Sequence, residues 1–147
     1  MQELPLALVE RQTGAASSQL DVIGKAAGRI VRLLQIDGFK FDVVPLDESR
    51  LPFIIAHTDA SVLDVPDIYR WNGDRFVEDS AAHSEYYRQR LGEDKNTLPE
   101  NSSGVVLVNL ARIAILSGDE TEAKTILIEA LSRERSKGAQ ANAETLR

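Results

Sequence analysis

The first half of the chain alternates short apolar runs with turn residues. Runs rich in β-branched and large apolar residues are separated by Gly-Ala-Ala-Ser-Ser at residues 14–18 and by Gly-Lys-Ala-Ala-Gly at residues 24–28. Short apolar runs bounded by Gly, Ser and Pro are typical of β-strands. The pattern therefore predicts an antiparallel β half over residues 4–79, a meander of roughly five to seven short strands.

Two six-residue stretches in this half share one pattern. Residues 36–41 (IDGFKF) and 71–76 (WNGDRF) each contain a large apolar residue, Asn or Asp, Gly, a variable residue, a base and Phe. Asp-Gly or Asn-Gly between strand-like runs is a strong hairpin signal, so both stretches predict a hairpin. Their separation of 35 residues fits either a repeated β unit or two independent hairpins that need the same turn residues.

At Ser80 the sequence changes to a helical pattern. Ser80 or Ser84 can cap a first helix, which we expect to end at Gly92. Residues 105–116 contain only two polar side chains, and a helix that is apolar on nearly every side is typically buried. We expect this helix to lie against the sheet or between its neighbouring helices.

A third helix follows a short turn. Gly118 can adopt the left-handed conformation that ends a helix, and Asp119 can cap the next one, with Glu122 placed for a capping box. The outer side of this helix carries Glu four residues before a base at Glu120–Lys124 and Glu129–Arg133.

Together these patterns predict an α+β fold, with an N-terminal antiparallel sheet followed by three C-terminal helices. We expect residues 1–147 to form a single compact body. Its parts are the β half at 4–79, a helical half at 80–137 and a C-terminal tail at 138–147.

Residues 105–135 resemble the tetratricopeptide repeat, a helix–turn–helix unit with small residues where its helices cross and a Gly at its turn. The matching residues are Leu107, Leu110, Ala111, Gly118, Ala123, Leu127 and Ala130. The sequence departs from that repeat at Ala114, where a Tyr is usual, and at Arg135, where a Pro usually ends the unit. One copy is visible, whereas repeat arrays need about three, so the resemblance implies a lone helix pair packed on the β half and an association with protein–protein contacts.

The stretch from Tyr69 to Phe76 is similar to the short Tyr-x-Trp-Asn-Gly-x-x-Phe hairpins of bacterial secreted β-repeat and propeller-like proteins. That resemblance implies a periplasmic or secreted protein, with a cytoplasmic location as the alternative. Together with the lone helix pair and the lack of a catalytic constellation, the hairpin aromatics predict an interaction module at one end of a larger secreted or periplasmic repeat assembly. The alternating Asp residues of the calcium loop in one such group are missing around Asp37.

Composition narrows the classes of partner. A net charge of −6 argues against nucleic acid, because phosphate binding draws its affinity from clustered Lys and Arg. The chain has no cysteine, which excludes thiolate catalysis and Cys-based metal sites. No apolar run is long enough to predict a membrane span. No cofactor is predicted, since residues 24–28 lack the spacing of a phosphate-binding loop.

His57 is the strongest candidate for chemistry. It ends an apolar run and precedes Asp59 by two residues, a spacing that places both side chains on one face of a continuing strand. A metal site or an acid–base pair is conceivable there, with Asp64 or Asp67 as a further ligand. We favour the simpler interpretation, a histidine at a strand end that is hydrogen-bonded to loop backbone.

Aromatic residues concentrate around the strand-to-helix boundary. Tyr69, Trp71, Tyr86 and Tyr87, together with Arg75, are candidates for a binding patch, because Tyr and Trp bury much area and keep a polar tip. We favour the other interpretation, in which these rings seat the first helix against the hairpin.

These features predict a non-catalytic protein-interaction or scaffold module with a protein partner. No catalytic residue is assigned. The alternatives are a small metal-dependent hydrolase that uses His57 and nearby carboxylates, or an enzyme inhibitor that presents one loop.

Overall fold

A computed structural model describes residues 6–26, 28–46, 52–58 and 63–145, with backbone alone at residue 26 and from residue 138 onward. The strands in this part of the chain are β1 (Ala7–Gly14), β2 (Ser17–Ala26), β3 (Arg29–Gly38), β4 (Lys40–Val44), β5 (Phe53–His57), β6 (Asp67–Trp71) and β7 (Phe76–Glu78). A short 3₁₀ turn at Ser80–Ala82 precedes the helices α1 (Ser84–Thr97), α2 (Gly104–Leu116) and α3 (Glu120–Thr145). The predicted α+β fold, with antiparallel strands followed by three helices, is confirmed.

The chain divides into two compact units, Met1–Ser80 and Ala81–Arg147. The boundary coincides with the change from strand pattern to helix pattern at Ser80. That both units form a single body over residues 1–147 stays a prediction. The backbone of α3 is helical to Thr145, so the helix continues through most of the segment that was expected to be a tail.

The strands of the first unit form two antiparallel sheets. One has the order β1-β2-β3 and the other the order β4-β5-β6-β7. Leu20 and Val22 of β2 point to one face of the first sheet and cluster with Ile54 of β5 and Phe76 of β7. This apolar cluster joins the two sheets and forms one part of the core of the unit.

The chain passes from one sheet to the other at Gly38, where we expected a hairpin. That expectation is wrong, because β3 pairs with β2 whereas β4 pairs with β5. The corner is held by Phe39, whose N–H donates to the carbonyl oxygen of His57 at 2.6 Å. A Cβ at Gly38 would lie 2.8 Å from that oxygen, so Gly is needed for the close approach rather than for a left-handed turn.

The second stretch, at Asn72 and Gly73, forms the expected hairpin. β6 and β7 pair in antiparallel fashion, with Trp71 opposite Phe76, and their ring centroids lie 5.4 Å apart in an edge-to-face arrangement. The Asn72 side-chain oxygen accepts from the N–H groups of Asp74 and Arg75, each at 3.0 Å. Gly73 has a φ of +105°, a conformation that favours glycine.

Helix α1 differs from the prediction at both ends. It begins after His83, which makes no side-chain cap, and the Ser80 hydroxyl instead accepts from the N–H of Ile68 at 2.9 Å. The helix continues through Gly92 to Thr97. Beyond Gly92 the helix is tied to α3 by an ion pair between Lys95 and Glu122, and a Gly in a helix interior costs only about 1 kcal/mol.

The turn between α2 and α3 has the predicted stop at Gly118 and cap at Asp119, whereas the Glu122 carboxylate contacts Lys95 of α1 and does not complete a capping box. Gly118 has a φ of +84°, and the N–H of Asp119 donates to the carbonyl of Ala114 at 2.9 Å, which together form the glycine-ended cap. Asp119 then caps α3, its carboxylate accepting from the N–H of Glu122 at 2.9 Å. The helix pair is therefore fixed at its turn by local hydrogen bonds.

Candidate functional site

His57 lies at the end of β5 between two carboxylates. Its Nδ1 lies 2.6 Å from Oδ2 of Asp64, in the segment before β6, and its Nε2 lies 3.0 Å from Oδ2 of Asp42 on β4. Lys40 binds the same Asp42 oxygen at 2.9 Å. The histidine therefore links β4, β5 and the approach to β6, and we call His57, Asp42 and Asp64 the histidine bracket.

Asp64 is the most deeply held member of the bracket. It is buried, and its second oxygen accepts from the backbone N–H of Thr58 at 3.1 Å. A buried carboxylate is stable only when it is paired and hydrogen-bonded. Both conditions hold here, because one oxygen contacts the His57 ring and the other contacts the backbone.

Electrostatics favour a charged histidine in this bracket. The hydrogen bond with Asp64 raises the pKa of His57 against the opposing effect of burial, and Asp42 adds to the rise. Burial alone would raise the pKa of Asp42, but hydrogen bonds from Lys40 and His57 outweigh it and lower that pKa. The two shifts favour a protonated His57 ring beside an ionised Asp42.

The contacts of His57 differ from those that the sequence suggested. His57 contacts side-chain carboxylates, so the favoured interpretation of a bond to loop backbone is wrong. Of the proposed ligands, Asp64 contacts the ring, Asp67 lies on β6 opposite Ala56, and Asp59 falls outside the described residues. No group of three or more His, Cys, Asp or Glu side chains that could hold a metal occurs in the part of the chain that the structure describes.

Asp42 is a bracket member that sequence reasoning missed. It lies fifteen residues before His57 and comes close only because β4 and β5 pair with Lys40 opposite His57. The available signal was the alternation of side chains along a strand: Lys40 and Asp42 share a face and meet a partner strand together.

The predicted aromatic patch is split between the two units. Tyr69 and Trp71 are half-buried against the core of the first unit, and Arg75 is exposed in the hairpin loop. Burial, followed by the nearby charges of Asp67 and Glu78, raises the pKa of Tyr69. These three residues therefore combine core packing with a small exposed rim.

The other two aromatic candidates lie on α1. Tyr87 is fully buried, and Tyr86 is half-buried, with its ring centroid 5.2 Å from that of Tyr87 in an edge-to-face arrangement. Tyr87 therefore acts as a packing residue rather than as an exposed anchor. That the five residues form a binding patch stays a prediction.

A surface that the sequence did not predict lies on α2 and α3. We expected α2 to be buried on nearly all sides, yet Val105 is 72% exposed, while Ile128 and Leu131 of α3 are 69% and 61% exposed. The exposed large apolar residues of the two helices are Val105, Val108, Ile115, Leu127, Ile128 and Leu131. We call these six residues the apolar strip.

Helical geometry explains why α2 is covered over one face only. Its buried positions, among them Gly104, Leu107, Ala111 and Ala114, recur at intervals of three and four residues and mark the side that faces α1 and α3. Val105, Val108 and Ile115 recur at the same intervals on the other side. The helical period would have predicted which residues of α2 are buried and which are exposed if the number of helices that pack against α2 had been known.

The positions of α1 and of the apolar strip follow from contacts within the second unit. The helices α2 and α3 are joined at one end, where the N–H of Gly104 donates to Glu134 at 3.2 Å. Helix α1 joins α3 at Glu122 through Lys95. Successive residues of a helix are rotated by about 100° around its axis. The face of α3 that packs on α2 carries Ala123 and Ala130. Glu122 and Leu127 lie on opposite sides of that face. The strip therefore lies along the α2–α3 pair, on the side turned away from α1.

Comparisons with known proteins add no relationship to these observations. No family model, no curated protein and no solved structure matches the chain. The resemblances to the tetratricopeptide repeat and to secreted β-repeat hairpins therefore stay predictions. Among the described residues, no helix is both long enough and apolar enough to cross a membrane.

Proposed function

We propose that this protein is a non-catalytic protein-interaction module. The observation that carries the proposal is the apolar strip, six large apolar side chains exposed on two adjacent helices. Single exposed apolar residues are ordinary, whereas apolar residues gathered on one surface mark interaction sites. The partner surface is expected to be apolar at its centre.

The strip is carried by helices that are already ordered. Ser103 caps the start of α2, accepting from the N–H of Val106 at 3.4 Å, and Gly118 and Asp119 fix its other end. A binding surface on a pre-ordered element loses less conformational entropy when its partner docks. This support is independent of the apolar character of the strip.

The state of His57 also favours binding over catalysis. A general base must present a ring nitrogen to its substrate, whereas both nitrogens of His57 contact carboxylates. This geometry supports a structural role, in which the bracket holds β4 and β5 to the segment before β6.

Selection from a displayed peptide library against the full chain tests the proposal. We expect saturable binders whose affinity falls at least about tenfold, or 1.4 kcal/mol, in Leu131→Asp. Ile30→Asp is the matched control, because Ile30 is 82% exposed but lies on β3. Binders that are absent, or that respond equally to both variants, would remove the support of the strip.

Metal titration by calorimetry tests the hydrolase alternative separately. The proposal expects no saturable zinc or manganese binding that depends on His57. Micromolar binding that is lost in His57→Ala, together with metal-dependent ester or phosphoester turnover, would replace the proposal with a metal-dependent hydrolase.

A further inference from the structure

The bases of the helical unit divide into two groups. Residues 81–137 contain eight Lys and Arg side chains. Five of them form ion pairs, Arg88, Arg90, Lys95, Arg133 and Lys137. The remaining three are Arg112, Lys124 and Arg135, which make no hydrogen bond or ion pair with the described residues. The Glu120–Lys124 pair suggested by the sequence is not formed.

All three unpaired bases lie on the same helix faces as the residues of the apolar strip and next to them. Arg112 is four residues after Val108 and three before Ile115, so it shares their face of α2. The other two lie on α3 next to its exposed apolar residues. Lys124 precedes Leu127 by three residues, and Arg135 follows Leu131 by four.

Arg135 also lines a depression on the surface of α3. The depression is shallow and open to solvent, and the described residues that line it are Ile128, Leu131, Ser132, Arg135 and Ser136. Its walls combine two strip residues with one of the unpaired bases. A site of this composition fits an apolar anchor side chain that has an acidic neighbour.

We propose that the apolar strip binds an amphipathic α-helix from another protein, whose apolar stripe is flanked by Asp and Glu. This inference rests on the proposed function and names the chemistry of the partner. Helices commonly bind by placing an apolar face along a groove, with anchors three and four residues apart. Here the α2–α3 pair supplies the apolar surface, and Arg112, Lys124 and Arg135 supply charges that the partner must complement.

Charge also argues against a second copy of this chain as the occupant. Among the described residues, each strip carries three unpaired bases and one unpaired acid on the same face, Glu120, which precedes Lys124 by four residues. Two identical strips placed face to face would therefore bring surfaces of the same net positive charge together, which is unfavourable. An acidic helix would instead place negative charges opposite these bases and neutralise them. The strip therefore selects against self-association while it favours an acidic partner.

A pair of synthetic peptides tests the charge assignment directly. Both are helical, about 18 residues or roughly five turns long, with the same Leu stripe, and they differ in having Glu or Lys on its flanks. We expect fluorescence anisotropy to show the Glu peptide binding the full-length protein at least about tenfold more tightly at low salt. The preference should shrink near 1 M salt, where the Debye length is about 3 Å.

Charge-reversed variants locate the preference on the protein. Arg112→Glu/Lys124→Glu should reverse the order of the two peptides. Arg88→Glu/Lys137→Glu makes the same change in net charge at bases that lie off the strip, and should keep the original order. Ile128→Asp should weaken both peptides, with circular dichroism used to verify that each variant is folded.

Each other outcome overturns the inference in a recognisable way. Equal binding of both peptides refutes the charge assignment and leaves the proposed function standing. Binding of neither peptide refutes a helix as the occupant, while the library selection still decides the proposed function. Concentration-dependent self-association that is lost in Leu131→Asp would make a second copy the occupant.

Discussion

Residues 36–41 and 71–76 are alike in sequence and different in structure. The first stretch is a corner at which the chain leaves one sheet for another, and the second is a hairpin that closes β6 onto β7. In the corner, Gly38 is buried against the carbonyl of His57. In the hairpin, Gly73 is exposed, and an added Cβ would have nothing within 4 Å.

The difference shows that one residue type can be required for two unrelated reasons. Gly73 is needed for its backbone angle, a φ of +105°, and Gly38 is needed because its missing side chain leaves room for another strand. The first requirement is local and the second is tertiary. Substitutions at matched positions should therefore have effects of different size.

The largest effect is expected for Gly38→Ala. The new Cβ would lie 2.8 Å from the His57 carbonyl oxygen and would force apart a corner held by the hydrogen bond from Phe39. We expect the free energy of unfolding to fall by about 3 kcal/mol, the upper range for overpacking. Urea denaturation followed by the fluorescence of Trp71, the chain's one tryptophan, measures it, and a loss below about 1 kcal/mol would contradict the steric account.

The next prediction concerns the histidine bracket, which has no counterpart at the hairpin. We expect His57→Gln to lower the free energy of unfolding by about 2 kcal/mol at neutral pH, because charge-assisted hydrogen bonds to two carboxylates are lost. Urea denaturation measured across pH checks both this loss and its pH dependence.

The direction of the pH dependence follows from the two pKa shifts. The raised pKa of His57 stabilises the fold fully below its ordinary value of 6.5, and this stabilisation is lost as pH rises through the folded pKa. The lowered pKa of Asp42 removes stability as pH falls below 3.8. The alkaline decline should flatten in His57→Gln and persist in His83→Gln. If the alkaline loss of stability were unchanged in His57→Gln, another titrating group would be its cause.

Local patterns predicted the elements well and their pairing poorly. β5 matches the apolar run that ends at His57, and the end of α2 follows from Gly118 and Asp119, because each signal is complete within a few residues. The assignment of β3 and β4 to different sheets depends on strand pairing, which the Asp-Gly sequence does not encode. The contact of Asp42 with His57 depends on the same pairing and was missed for the same reason.

A smaller effect than at Gly38 is expected for Gly73→Ala. No atom obstructs the new side chain, so the cost is confined to placing Ala at positive φ, about 1 to 2 kcal/mol. The same denaturation experiment measures it. A loss larger than that of Gly38→Ala would invert the comparison, and would show that backbone strain outweighs the close approach at the corner.

The apolar strip shows a similar limit in predicting which faces of a helix are buried. The sequence made α2 apolar on nearly all sides, and burial is the usual consequence. Within the second unit, α1 and α3 cover one face, so Val105 and Ile115 stay exposed. Apolar periodicity predicts that a face will be covered, and it does not state whether the cover comes from this chain or from a partner.

The smallest effects are expected at the residues before each glycine. Asn72 accepts from two backbone N–H groups of its own turn, whereas Asp37 accepts from the exposed side chain of Gln19 at 2.8 Å. Asn72→Ala should lower the free energy of unfolding by about 1 kcal/mol, and Asp37→Ala by less than about 0.5 kcal/mol, since exposed side-chain pairs contribute little. Equal losses would mean that the Asn72 turn adds nothing beyond an ordinary surface hydrogen bond. A larger loss at Asp37 would mean that the corner depends on its side chain as well as on the space at Gly38.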